Sequence, residues 1–233
     1  MKPQAQLDTK QKPDTDGAPQ GNINGYGACC NEMDIWEANA RATTLVPHPC
    51  NVTGYVECSG AECAREGICD KPGCGYNPHR IHNYDYYGNT GNMTVDTKRP
   101  FTVVTQFPAD KCGRLTSIHR LYVQDGRVIQ NAPVNRDDYP QIDYINDDFC
   151  EAAGAEPMLR LGGTKGMGEA LTRGMVLAMS IWWDASGYMS WLDQGESGPC
   201  NATEGSPDSI RVIQPDTKLT FSKIRWGELD STY

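Results

Sequence analysis

The chain has 233 residues, a formal net charge of −9 and an isoelectric point near 4.9, with a mean hydropathy of −0.58. That length fits one large β domain more readily than two small ones, and the composition suits a globular, loop-rich protein handling a neutral ligand. The acidity speaks against a nucleic-acid partner, since phosphate binding needs a basic face, and with no run of eighteen apolar residues a membrane-spanning helix is not expected.

Taken in chain order, residues 1–20 are polar, proline-bearing and without an apolar core, which reads as a loop or tail and not as a signal peptide. A strand is expected near 28–37. Residues 47–92, rich in Cys, Gly, Asn and Tyr and without periodicity, read as a disulfide-pinned loop region. FTVVTQF at 101–107 is β-branched and aromatic, hence a strand. Residues 115–130 form a hairpin, with Asp125-Gly126 supplying the positive φ angles of a tight turn. The segment 164–173 is the one expected helix, ended by Gly174. GMVLAMSIWWD at 174–184 reads as a long buried strand, 187–193 as its hairpin partner, and 218–229 as a closing strand. Strands with long loops and one short helix predict an all-β, antiparallel β-sandwich.

Ten cysteines fall at 29, 30, 50, 58, 63, 69, 74, 112, 150 and 200. The spacings Cys58-x4-Cys63 and Cys69-x4-Cys74 are looser than zinc knuckles, and no histidines pair with them, so disulfides in an oxidising compartment account for them better than a metal. Three glycosylation sequons, at Asn51, Asn92 and Asn201, agree with secretion.

The stretch GACCNEMDIWEAN sets Glu32, Asp34 and Glu37 close together. On a helix these offsets diverge. On a regular strand Glu32 and Asp34 share a face and Glu37 takes the other. A single β-bulge between Asp34 and Glu37 would bring all three to one side. Glu32 and Glu37 could then reach the carboxyl separation of roughly 5.5 Å that a retaining glycosidase needs. Asp34 between them would orient Glu32, and the negative charge on Glu32 would keep Glu37 protonated. On spacing alone, three solvated acids on a strand edge, a calcium site and acid–base catalysis all remain open.

The segment CCNEMDIWEANARATTLVPHPC resembles the signature of family-seven glycoside hydrolases, the fungal cellulases that comprise cellobiohydrolases and endoglucanases. The resemblance continues through GICDKPGCGYNPHRI, INDDFCEAAGA, LRLGGTKGMGEALTRGMVLAMSIWWD, YMSWLDQGESGPCNATEGSP and LTFSKIRWGELDSTY, covering nearly everything after residue 21. It implies a concanavalin-like jelly roll with a long cleft and retaining hydrolysis of β-1,4-glucan. By it, Glu32 matches the nucleophile, Asp34 its assisting carboxyl, Glu37 the acid/base, and His48 a histidine lining the cleft. Trp182 and Trp191 match sugar-stacking tryptophans on the product side, whereas Trp183 and Trp226 are expected in the core. Arg80 and Asp193 are candidate contacts to sugar hydroxyls. The resemblance also implies the disulfides Cys50–Cys69, Cys58–Cys63 and Cys74–Cys150, with Cys112 matching no family cysteine. No cofactor is implied. The partner is a β-1,4-glucan, with no nucleic acid or membrane, and the complete protein is expected to be a secreted monomer.

The segment LDQGESGPC after Trp191 is short, and Ser197 stands where cellobiohydrolases carry an arginine within a longer insertion. An open cleft of that kind suits an endoglucanase, although the loop from Cys50 to Cys74 is long enough to keep some cover. The alternatives are a cellobiohydrolase acting from chain ends and a non-catalytic lectin-like module. The family domain is about twice this length, so residues 21–233 are expected to be the C-terminal portion of one catalytic domain. By the same reasoning Cys29, Cys30 and Cys200 lack partners, and the chain by itself is not expected to be a stable, active cellulase.

Overall fold

The computed structural model describes residues 27–233; the expected tail over residues 1–20 lies outside them. The first half is made of strands. β1 (Gly27–Cys29) pairs antiparallel with β4 (Val56–Cys58), and β2 (Glu32–Ala38) pairs antiparallel with β3 (Thr43–His48). β5 (Tyr87–Gly88) and β6 (Val95–Asp96) form a short parallel pair. A four-stranded antiparallel sheet follows, in which β8 (Ile118–Gln124) is bordered by β7 (Thr102–Gln106), β9 (Arg127–Gln130) and β10 (Tyr144–Ile145). The β-branched run of β7 and the alternation of β8 put these residues in strands as expected, and Asp125 and Gly126 turn the β8–β9 hairpin at φ 52° and 74°.

The core lies between this sheet and the β3 side of the molecule. Tyr122 of β8, Tyr76, Ile118, Ile145 and Phe149 are buried there, with Tyr76 stacked on Phe149 at 4.8 Å between ring centroids. The Cys74–Cys150 disulfide crosses this core, while Cys50–Cys69 and Cys58–Cys63 brace the loops beside β3 and β4. Among the described residues Cys30, Cys112 and Cys200 carry free thiols. The three sequon asparagines are exposed.

The helical content departs from the single expected helix. α1 (Asp147–Ala152) and α2 (Glu156–Arg160) precede α3 (Gly163–Arg173), and α4 (Ser190–Asp193) and α5 (Pro207–Ile213) follow it. Only α3 is long enough to show a helical period, burying Thr164, Met167, Gly168 and Ala170. The others are too short for periodicity, but their start signals are in the sequence: Asn146 accepts from the Phe149 amide, and Ser206 accepts from the Ser209 amide just ahead of Pro207.

The three expected C-terminal strands are not formed. Residues 174–184 and 218–229 have no ladder partner among the described residues, and 187–193 turns into α4 instead of a hairpin arm. A strand is stable only when its backbone groups meet a neighbour and its side chains meet a packed surface, so an apolar, β-rich sequence alone does not make one. The exposure follows: Val176 is 72% exposed, Trp183 46% and Trp226 90%, so neither tryptophan is in the core where the sequence placed it. Trp183 instead packs beneath the Arg211 guanidinium, 4.7 Å from its ring centroid.

Candidate active site

Strand β2 carries all three acids, and its ladder with β3 changes register among them. Glu32 faces His48, Met33 faces Pro47 and Asp34 faces Val46; Glu37 then faces Thr44 and Ala38 faces Thr43. Ile35 and Trp36 therefore stand opposite the single residue Leu45, which defines a β-bulge. The extra residue converts the odd spacing from Asp34 to Glu37 into an even one and returns Glu37 to the face of the other two acids. Leu45 spends its own backbone groups on the opposite edge, exchanging hydrogen bonds with Tyr76 at 2.9 and 3.3 Å.

The electrostatics show these groups acting on one another. His48 Nε2 lies 3.0 Å from Asp34 Oδ2, and His48 Nδ1 lies 3.1 Å from the Asp70 carbonyl, which fixes the ring from both sides. Burial alone would lower the imidazole, but the hydrogen bond and charge of Asp34, then Glu32 and Asp70, hold it up at about 9. Glu37 is pushed up to about 7, first by burial and then by the charge of Asp34, with His48 opposing. Glu32 is also raised, first by desolvation and then by Asp34, with which it shares a hydrogen bond. Its surface area is open to solvent, yet the surrounding protein is close enough to strip part of its hydration. A proton-holding carboxyl and a second carboxyl flanked by an imidazolium–carboxylate pair form an acid–base constellation. Gly73 permits this packing: at φ 71° it lies where any Cβ would collide with Val46 and the His48 ring.

The expected substrate contacts outside β2 and β3 form a group of their own: Arg80 Nε donates to Ser197 Oγ at 2.8 Å and its Nη2 donates to the Trp191 carbonyl at 2.9 Å. The ring of Trp191 lies parallel to that of Trp182, 6.1 Å apart at 16°, and Trp182 is 53% exposed. Buried Asn77 donates to the carbonyls of Leu192 and Ser197, so the loop after Trp191 is tied to the segment that carries Arg80. Asp193 differs from expectation. It is 3% exposed and accepts from Asn39 Nδ2 at 2.6 Å, so its carboxylate anchors the β2–β3 turn and is not presented to a ligand. Asp193, expected as a contact to sugar hydroxyls, is turned inward because α4 replaces the expected hairpin arm.

Sequence reasoning missed Asp70, Asn39, Arg41 and Arg120. Asp70 is buried beside His48, and burial pushes its carboxyl up. Arg41 pairs with Glu204 at 2.9 Å and binds the α4–α5 loop to the β2–β3 turn. Only Arg120 left a sequence signal: it occupies the inward parity of β8, shared with Ile118 and Tyr122.

The profile of glycosyl hydrolase family 7 matches residues 3–233. Endoglucanase 1 of Humicola insolens is 56% identical over 213 residues, 91% of this chain and 53% of that protein. Endoglucanase type C of Fusarium oxysporum is 55% identical over 212 residues, again 91% of this chain and 49% of that protein. Among solved structures, an endoglucanase I complexed with cellobiose superposes with a TM-score of 0.81 at 55% identity, covering 84% of this chain and 49% of the other. The chain thus spans about half the length of the curated relatives it matches. The family match runs over nearly the whole chain, and the identity and the superposition extend over most of it: the chain belongs to glycosyl hydrolase family 7, whose fold is a β-sandwich jelly roll.

Proposed function

We propose that the whole protein, of which residues 21–233 form the C-terminal portion of a single catalytic domain, is a secreted endo-1,4-β-glucanase that cleaves internal bonds of cellulose or a related β-glucan with retention of configuration. The observation that carries this reading is the bulge in β2, which places Glu32, Asp34 and Glu37 on one face, with Glu37 held up at about 7. Glu32 attacks the anomeric carbon as the bond from that carbon to the leaving O4 breaks, and the Glu37 proton passes to O4. Water then attacks the same carbon, gives its proton to the Glu37 carboxylate and releases Glu32. Two inversions restore the β configuration.

Asp34, held by the His48 imidazolium, positions and tunes Glu32 through their shared hydrogen bond. Trp182 and Trp191 offer indole faces for the apolar C–H faces of glucose, and Arg80 lies between Trp191 and Ser197 to meet hydroxyls. The names of the relatives, both endoglucanases, and the cellobiose in the structural neighbour support this substrate class. Exposure of all three sequon asparagines and the three disulfides are consistent with secretion.

The test is to compare the full-length protein with its Glu32→Gln and Glu37→Gln variants on cellopentaose, following binding and turnover together. The expected result is β-anomeric product from the wild type, with turnover reduced by at least about a thousandfold in each variant while binding persists. A wild type that binds and does not turn over, with variants equal to it, would identify a lectin. Release of cellobiose from chain ends alone would identify a cellobiohydrolase.

A further inference from the structure

Leu45, the residue opposite the bulge, exchanges its backbone hydrogen bonds with Tyr76, so its amide is not given to the Ile35 carbonyl. Arg120 of β8 takes up that carbonyl: its Nη2 donates to Ile35 O. Arg120 is 3% exposed, and its surroundings are aromatic. Its guanidinium lies 5.7 Å from the Tyr122 ring centroid, with Tyr86 and Tyr87 close enough to act on its charge. Among the described residues no carboxylate lies within ion-pair distance of it, and its Nη1 has no hydrogen-bond partner.

A buried guanidinium without a counter-ion is costly, and an apolar side chain of similar volume would pack there with less penalty. Among the described residues its one side-chain hydrogen bond is to the bulge, on Ile35, one of the two residues between Asp34 and Glu37. We propose that Arg120 is a positioning residue: by holding the Ile35 carbonyl it fixes the bulge, and with it the direction in which Glu37 enters the site relative to Glu32. The inference rests on the reading of Glu37 as acid/base. Without the donor, the strand relaxes toward satisfying the Ile35 carbonyl elsewhere. Proton transfer, which requires heavy atoms within about 2.6–3.2 Å, then suffers before ground-state binding does.

Leaving-group dependence separates this role from a general loss of stability. A dinitrophenyl β-cellobioside departs without being protonated, whereas a cello-oligosaccharide requires the Glu37 proton. The full-length Arg120→Met and Arg120→Lys variants would be assayed on both substrates, with rates divided by the concentration of active sites titrated by a 2-fluoro cellobioside, so that only folded molecules count. Arg120→Met is expected to lose about a hundredfold in kcat/KM on the oligosaccharide and less than about tenfold on the dinitrophenyl substrate. Arg120→Lys, which retains a donor, is expected to recover about tenfold of the difference. Azide, which attacks the glycosyl–enzyme carbon and releases Glu32 without needing a base, should speed turnover of the dinitrophenyl substrate by Arg120→Met and yield the β-glycosyl azide. Glu37→Ala serves as the reference. If Glu37→Ala shows no leaving-group dependence, the acid/base reading itself has failed. If Glu37→Ala shows it while the Arg120 variants lose both substrates equally, or neither, Arg120 does not position Glu37. Should Arg120→Met yield no titratable sites, the ratio of the two rates in Arg120→Lys decides: a wild-type ratio overturns the proposal.

Discussion

Replacing His48 by asparagine removes a positive charge that acts on both glutamates at once. The imidazole, held at about 9, is cationic across the range in which a carboxylate pair would work, and its charge lowers Glu37 and Glu32 alike. His48 faces Glu32 across the ladder, and Glu37 faces Thr44, four residues further back along β3. Four residues of strand span about 13 Å, and side chains leaning inward shorten the charge separation to roughly 10 Å. At an effective dielectric of about 20, that coupling is about 1.7 kcal/mol, or roughly one pH unit. The limb of the rate profile that requires protonated Glu37 should therefore move from near pH 7 to near pH 8, and the limb that requires ionised Glu32 should move in the same direction. The assay is the pH dependence of kcat/KM on a soluble cello-oligosaccharide for the full-length wild type and His48→Asn. An alkaline limb that stays in place, or moves to lower pH, would refute the electrostatic argument.

The same substitution carries a stability signature. His48 is raised from 6.5 to about 9 by folding, so its contribution, about 3 kcal/mol, should be fully present below pH 6.5 and lost as pH rises through 9. Thermal melts of His48→Asn and wild type should accordingly differ most in acid and converge in alkali. Glu37 behaves oppositely to an ordinary salt-bridged acid: its raised value costs stability as pH climbs from 4.5 through 7, so Glu37→Gln should melt higher than wild type above pH 7 while being nearly inactive. Loss of the Cys74–Cys150 bond, with a sequence separation of 76, should cost about 4 kcal/mol by loop-closure entropy. Loss of Cys58–Cys63, with a separation of 5, should cost about 2 kcal/mol, and denaturant titration of the paired alanine variants reads both.

Local features were legible in the sequence wherever a residue's neighbours in the chain decide its conformation. The Asp125-Gly126 hairpin and α3 follow from turn chemistry and helical periodicity, and both stand where they were expected. The bulge could be inferred because no regular strand lets Glu32, Asp34 and Glu37 share a face, and the register shift falls between Asp34 and Glu37. Residues 174–184 and 218–229 show where this reasoning stops. Their composition states that they favour a packed sheet, and nothing in it states whether a neighbour is there to complete one. The partners of Asp193 and Arg120 were hidden for a related reason, although the parity of β8 points Arg120 inward: what each touches, Asn39 and Ile35, is 154 and 85 residues away in the chain. Two arginines with the same composition signal can thus end as a surface ion pair, like Arg114, or as a buried support, like Arg120.

The most direct measurement is to incubate the full-length protein with 2-deoxy-2-fluoro-β-cellobiosyl fluoride and map the adduct by peptide mass spectrometry. Fluorine slows both steps and a good leaving group restores the first, so the covalent intermediate accumulates. The predicted result is one cellobiosyl adduct, on Glu32, formed as activity is lost. An adduct on a different residue, or an active enzyme that never forms one, would contradict the assignment of Glu32 as the attacking group.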